Sequence, residues 1–400
     1  MPRAAAPWRP IPAPPAGGDS FSVPIIDRPR EPAHPSSRKE DGMKAAVLYE
    51  VKSPLVIDEV EVDEPGPGEV KVRLGATAIC HSDIHFFEGD VPLRGPGIAG
   101  HEAAGIVEAV GEGVTSVKAG DHVVMAPITG GCGRCTNCML GLRHMCQNFV
   151  RPAPHHRNRK GEALMPLAGP VGGFAEYTVV HETQTAKVPD DLPMHLACLL
   201  GCGVLTGFGA VVNRAKVRPF QSVAVIGTGG VGLNAIQGAA FCGAHPIVAV
   251  DLLDSKLEAA RRFGATHTVN ASKVDAVQGV KDATAGRGVD FSFIMAASSK
   301  AVRQAFEMLG PRGTAVMVQI TTGDMSDFQP REFIGERMFT GSMLGSTSLQ
   351  LDVPRYVDIY KHGRLKLDEL VTACYGLDEI NTAVESSKAG EALRNVIVFG

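Results

Sequence analysis

Four cysteines fall within fifteen residues, in GGCGRCTNCMLGLRHMC, as Cys132-x2-Cys135-x2-Cys138-x7-Cys146. Four thiolates at this spacing complete a tetrahedron around Zn²⁺ and leave no position open, which is the pattern of a structural site. The interspersed glycines let the backbone wrap an ion; an iron–sulfur cluster or redox thiols are the alternatives. A second set is dispersed: Cys80 in AICHSDIH, His101 and Glu102 in GHEAAG, and Cys202 in LLGCGV. Two thiolates and an imidazole make the Cys₂His set of a catalytic zinc that keeps one position open for substrate. Each of these residues also reads plainly as a core cysteine or a satisfied core histidine, and spacing alone does not bring the three together.

A third constellation is Gly227-Thr228-Gly229-Gly230-Val231-Gly232, a G-x-G-x-x-G. It follows the strand-like run SVAVIG, precedes a helical segment, and the next strand-like run, PIVAVD, ends in Asp251, nineteen residues past Gly232. In that context the first glycine serves a tight turn, the second lets a pyrophosphate approach the backbone, and the third allows helix and strand to pack closely. Free N–H groups at the helix start face the phosphates. Asp251 is suited to accept hydrogen bonds from an adenosine ribose and to repel a 2′-phosphate, and Leu252-Leu253 follow where an NADP site would want a cation. NAD is therefore the expected cofactor, against the alternative of a glycine-rich turn in a fold that binds no nucleotide.

The elements that must position these groups differ along the chain. Residues 43–125 carry short Val/Ile-rich strands punctuated by Gly and Pro, which predicts an irregular antiparallel β domain. From Ser222 the runs SVAVIG, PIVAVD, VDFSFIM and GTAVMVQI are almost continuously apolar, as in parallel strands covered on both faces, and helical patterns such as KLEAARRFG separate them. From about Leu351 two helix-like pieces precede NVIVFG, a strand expected to return to the first domain. Pro219 to Val250 contains no Asp, Glu, Lys or Arg and is long enough to span a bilayer, but its glycines and amides fit strand, turn, helix and strand instead.

The 400 residues are 44% apolar and 20% charged, ordinary for a globular chain. A net charge of −4, from 39 basic and 43 acidic side chains, gives no global attraction to nucleic acid or an anionic membrane. Nine cysteines without a secretory apolar segment point to a reducing compartment and a cytoplasmic location. Ten of the 27 prolines, and Trp8, lie in residues 1–42, which show no periodicity that could fold them. That stretch is expected to be a disordered extension, or to arise from a translation start assigned too far upstream of Met43. Asp19, Asp27, Glu31, Glu40 and Asp41 weigh against an organelle transit peptide.

GHEAAGIVEAVGEGV, with Gly100, His101, Glu102, Gly105, Gly111 and Val114 in place, resembles the zinc signature of the medium-chain dehydrogenase/reductase superfamily. The four-cysteine lobe, LLGCGVLTGFGA, GTGGVG and the closing EALRNVIVFG are similar, in order and spacing, to zinc-dependent alcohol dehydrogenases, including the thiol-dependent formaldehyde dehydrogenase (class III) members. The resemblance covers Met43 to Gly400. It implies an α/β fold in which a Rossmann doubly wound parallel sheet, residues 204–346, is inserted in a GroES-like β-rich catalytic domain made of 43–203 and 347–400. It implies zinc-dependent oxidation of an alcohol to an aldehyde or ketone, or the reverse, with hydride transfer to NAD. Cys80, His101 and Cys202 would bind the catalytic zinc, with Glu102 behind it as a transient ligand, and Cys132, Cys135, Cys138 and Cys146 the structural zinc. Thr206 would pack on the nicotinamide, Lys256 contact the adenosine ribose, and His81 and Arg394 the pyrophosphate. Ser82 and His85 would carry the alcohol proton away. The partner is a small alcohol or aldehyde, and the assembly a homodimer, or a homotetramer as in other members.

Two segments depart from the pattern. VDFSFIMAASS, residues 289–299, lacks the acidic residue and glycine usual at this strand end, with Met295, Ala296 and Ala297 instead. Gln147 to Pro170 reads as a long loop bearing Arg151, His155, His156, Arg157, Arg159 and Lys160, either simply solvated or guiding an anionic substrate such as a thiol adduct of formaldehyde. Cys198, Cys242 and Cys374 have no partner motif. A reading of another class is an NAD- and zinc-binding sensor without catalysis, against which the intact Ser82/His85 pair weighs.

Overall fold

The computed structural model describes residues 42–128, 131–148, 153–319, 327–390 and 392–400. The expectations for residues 1–41 and for Arg151 lie outside the described residues. Three sheets organise the chain. A small closed barrel joins strands Met43–Leu48, Val56–Val62, His156–Asn158, Ala163–Pro166 and Gly97–Ile98. A larger, mostly antiparallel sheet runs in the order Thr185–Lys187, His122–Met125, Glu102–Val110, Glu69–Ala78, Arg394–Val398, Val371–Gly376, with Tyr177–His181 also pairing with Glu69–Ala78. The chain's last strand thus lies inside this sheet, antiparallel to Glu69–Ala78 and parallel to Val371–Gly376.

The third sheet has six strands, every pairing parallel, in the order His267–Asn270, Ile247–Asp251, Val223–Ile226, Val289–Ile294, Leu309–Met317, Met338–Gly341. Numbered along the chain this is 3-2-1-4-5-6, the doubly wound Rossmann arrangement, and the order reverses between Val223–Ile226 and Val289–Ile294. Central strands such as Val223–Ile226 are buried at every position, which is why they read as unbroken apolar runs. The two edge strands, HTVN and MFTG, are short and half exposed, and neither shows as an apolar run in the sequence.

Helix Gly203–Gly209, continued by a π-helical turn Ala210–Ala215, lies against helix Gly230–Phe241 so closely that a methyl on Gly207 would strike the Val231 carbonyl. Phe208, buried in the same core, contacts the rings of Phe241 and Tyr356. Among the described residues no single helix is long and apolar enough to cross a membrane; Pro219 to Val250 instead forms two buried strands around a helix.

The segment Gln147 to Pro170 is not the long loop expected. Its strands His156–Asn158 and Ala163–Pro166 form a hairpin that closes the barrel, and they are too short to show periodicity. The turn is set by Asn158 Oδ1, which accepts from the N–H groups of Lys160 and Glu162. His155 fastens it: Nε2 is 3.1 Å from Glu69 Oε1, Nδ1 is 3.7 Å from Asp63 Oδ2, and its carbonyl accepts from Asp63 N–H. Burial disfavours the charged ring, but the two carboxylates outweigh it and hold the pKa up at about 9. A histidine whose folded pKa is raised from 6.5 stabilises fully below pH 6.5, and that stabilisation is lost as the pH rises through 9. The thermal stability gap between the parent and His155→Gln should therefore be widest below pH 6.5 and close above pH 9. A gap that is constant across this range in a Tm series would refute the latch.

Candidate metal and cofactor centre

Cys80 ends strand Glu69–Ala78 through a short link and caps helix His81–Phe87. His101 and Glu102 open strand Glu102–Val110, and Cys202 caps helix Gly203–Gly209. The fold brings these four buried residues together, with one ligand atom from each within 4.8 Å of all the others. Ser82 Oγ is 3.8 Å from Cys80 Sγ, and Thr206 Oγ1 is 3.8 Å from Cys202 Sγ. The neighbouring Cys202 thiol and His101 hold the Cys80 pKa well down, while the Cys80 sulfur and burial drive the Cys202 pKa up. Burial pushes Glu102 up to about 8. Glu102 Oε2 is buried without a hydrogen-bond partner, and Oε1 has only the Arg394 guanidinium beside it, so a cation among two sulfurs and an imidazole would satisfy the remaining oxygen.

Asp83, which sequence reasoning missed, holds this set in place. Its Oδ1 lies 3.1 Å from His101 Nδ1 and accepts from Gly100 N–H at 3.0 Å, while Oδ2 accepts from Cys80 N–H at 2.9 Å. Burial opposes protonation of His101, but Asp83 and the Cys80 sulfur hold its pKa well up. A carboxylate on Nδ1 leaves Nε2 for a metal, as metal-ligating histidines commonly require. The available signal was Asp83 at the third position of the helix that Cys80 caps, where an acidic residue reaches back to the cap.

The four lobe cysteines also converge within 4.8 Å. The Cys135–Cys146 sulfur distance of 3.9 Å matches the edge of a tetrahedron with ~2.3 Å Zn–S bonds, about 3.8 Å. Backbone N–H of Arg134 draws the Cys132 pKa down to about 6, whereas burial pushes Cys138 up to about 12. Asn148 donates to Cys132 sulfur and Cys132 N–H to Cys146 sulfur, at 3.3 Å each. Among the described residues every cysteine is free, with Cys198 buried and Cys374 exposed.

The glycine turn follows strand Val223–Ile226, next to the point where the sheet order reverses. Gly227 has φ +90°, and a methyl on Gly232 would collide with the Gly227 carbonyl, so only glycine serves at these two positions. Space above Gly229 is open. Val231 is half-buried in the first turn of the helix. Asp251 is fixed by this chain: one oxygen accepts from Thr228 N–H and Oγ1–H at 2.7 and 3.0 Å, the other from Leu252 and Leu253 N–H. Ala296 backbone packs against Gly227, at the strand end that departs from the pattern.

Arg394 joins the two centres. It is buried, its Nη2 lies 3.2 Å from Glu102 Oε1, and a methyl on Gly203 or Gly230 would sit 2.6 or 2.7 Å from its guanidinium. Burial opposes its charge, and Glu102 with the Cys80 and Cys202 sulfurs restores it. His81, exposed at the helix start, has the cations Arg394 and Lys256 as neighbours, and the Lys256 ammonium lies beside Gly390. His85 stands apart from the sulfurs, at the end of its helix, with Nδ1 2.8 Å from Asp90 Oδ2.

With this geometry in hand, comparison with known proteins is specific. A family model for the alcohol dehydrogenase GroES-like domain matches residues 66–190, and one for zinc-binding dehydrogenases matches 230–361. Alcohol dehydrogenase 1 of Pisum sativum is 39% identical over 368 residues, 88% of this chain and 96% of that protein. Among solved structures, the alcohol dehydrogenase zinc-binding domain protein of Burkholderia ambifaria superposes with a TM-score of 0.84 at 33% identity, over 90% of this chain and 99% of that one. Benzyl alcohol dehydrogenase of Acinetobacter calcoaceticus gives 0.83 at 33% identity, over 90% and 100%. The two metal-ligand clusters, the glycine turn at the switch of a 3-2-1-4-5-6 sheet and these matches agree: the chain belongs to the zinc-containing medium-chain alcohol dehydrogenase family.

Proposed function

We infer that this protein oxidises an alcohol to an aldehyde or ketone, or runs the reverse reduction, with NAD as hydride carrier. The observation that carries the reading is the buried set Cys80, His101, Glu102 and Cys202, linked through Arg394 to the glycine turn Gly227 to Gly232. When bound, a zinc ion acidifies an oxygen ligand, bringing water from pKa ~15.7 to ~7, and a nicotinamide takes up hydride. Cys80, His101 and Cys202 would hold the catalytic ion with Glu102 in reserve, and Cys132, Cys135, Cys138 and Cys146 the structural one. The open face of Gly229, with His81 and Arg394, suits a pyrophosphate; Asp251 and Lys256 suit the adenosine ribose, and Thr206 the nicotinamide. Ser82, beside the metal set, would accept the alcohol proton while giving its own hydroxyl proton on, through the cofactor ribose, toward His85, one turn further along the helix, which would pass it to solvent.

The lobe built from 43–203 with 347–400 and the lobe 204–346 would then form the two walls of a cleft, with Arg394 between them. Strand Met338–Gly341 pairs on one side only among the described residues, which supports a homodimer joined at this edge; light scattering giving a monomer would remove that assembly. The free cysteines fit a reducing, cytoplasmic setting.

The thiol-adduct reading loses its support in the hairpin. His155 pairs with Asp63 and Glu69, Arg157 with Asp63 and Arg159 with Glu59, so these cations answer this chain's own carboxylates. Formaldehyde oxidation should accordingly show no dependence on added low-molecular-weight thiols, and simple or aromatic alcohols should be turned over without them; strict thiol dependence would reinstate the class III assignment. Metal analysis should find two zinc ions per chain. Cys80→Ala or His101→Ala should cut kcat by ~10³ or more while NADH fluorescence titration shows binding little changed. Turnover near the parent level in either variant would sink the metal assignment.

A further inference from the structure

Helix His81–Phe87 ends in a turn that pairs two particular side chains. Gly89 adopts φ +78°, its N–H donates to the Phe86 carbonyl at 3.3 Å, and Asp90 N–H donates to the His85 carbonyl at 2.9 Å. These two bonds define a Schellman turn, in which the residue two past the cap lies over the residue three before it, usually as an apolar contact. Here the two positions hold Asp90 and His85, and their side chains meet at 2.8 Å between Oδ2 and Nδ1. Glu88, the intervening cap residue, is engaged by Lys388 at 2.6 Å and does not compete for the ring.

We propose that Asp90 is a positioning residue for His85, fixing its neutral ring as the Nδ1–H tautomer so that the Nε2 lone pair is free to accept the departing alcohol proton. This rests on the dehydrogenase reading above. Which ring nitrogen carries the proton is set by the hydrogen bond made by the other, and a carboxylate is an acceptor only. A proton arriving at Nε2 makes an imidazolium whose Nδ1–H stays bonded to Asp90; the same proton then leaves Nε2 for solvent, and the ring returns to its starting tautomer. The wrong tautomer offers an N–H where a lone pair is needed, and a base so blocked is inactive however well it is placed. The pair is half exposed, so its removal has little effect on stability, and Asp90→Ala should fold.

The test uses the full zinc-loaded chain labelled with ¹⁵N-histidine, with His85→Gln identifying the His85 signals among the 13 histidines. The neutral parent ring should show a protonated Nδ1 and an unprotonated Nε2. In Asp90→Ala the population should shift toward Nε2–H, and kcat should fall by about tenfold or more with the KM for alcohol and the affinity for NADH little changed. Asp90→Glu should restore much of both. A parent ring protonated on Nε2, or an Asp90→Ala variant that loses kcat without any change of tautomer, would overturn the proposal. A parent that turns over no alcohol while keeping the Nδ1–H tautomer would instead overturn the dehydrogenase reading and leave the pairing standing.

Discussion

A single buried guanidinium fixes how the parts of this molecule stand to one another. Arg394 comes from the chain's last strand, opposes Glu102 behind the metal-ligand set, and fills the space left by Gly203 and Gly230. Removing one member of a buried pair strands the other charge and costs about 3–5 kcal/mol. Neither Gly203 nor Gly230 has room for a side chain, so the arginine also dictates how closely the start of the helix after Cys202 approaches the start of the helix after the glycine turn. The metal-ligand set and the glycine turn are therefore held in register by this side chain together with the apolar packing of Val204, Leu205 and Phe208 on Leu233, Ala235 and Ile236.

The charge environment of the metal set follows the same economy. Asp83, Glu102 and two cysteines are buried against one arginine and one histidine, and burial accordingly raises the pKa of Glu102, as the Cys80 sulfur and burial raise that of Cys202. A divalent cation relieves this strain directly. The lobe of Cys132, Cys135, Cys138 and Cys146 handles its sulfurs differently, with backbone N–H groups and Asn148 donating to them near the surface. One site uses buried charge to keep a reactive position, and the other uses local backbone to close on its ion.

That contrast also governs what could be read from the sequence. The lobe was legible because its ligands sit within one short loop, and the spacing itself states the geometry. Cys80, His101 and Cys202 are too far apart in sequence for spacing to place them, and only resemblance joined them. Asp83 escaped notice because a buried aspartate next to a helix cap looks like any capping residue until His101 is seen against it. The central strands of the parallel sheet declared themselves by burial on both faces, whereas HTVN and MFTG, at its edges, carry no such mark. The hairpin after Cys146 reads as a loop because three- and four-residue strands are shorter than any period, and His155, Arg157 and Arg159 on it are fastened to Asp63, Glu69 and Glu59.

The placement of strand Arg394–Val398 inside the larger sheet, against Glu69–Ala78, has a consequence for how the molecule comes into being. Its partner strand is synthesised near the start of the chain, so the two meet across almost the whole sequence, a pairing of high contact order. The six parallel strands lie between them in the chain and can condense while synthesis continues, since domains generally fold as units during translation. The set of Cys80, His101, Glu102 and Cys202, by contrast, lacks its balancing cation, Arg394, until strand Arg394–Val398 has been synthesised. The six-stranded parallel sheet can therefore form before strand Arg394–Val398 is made, and the charge balance of the cluster waits for that strand.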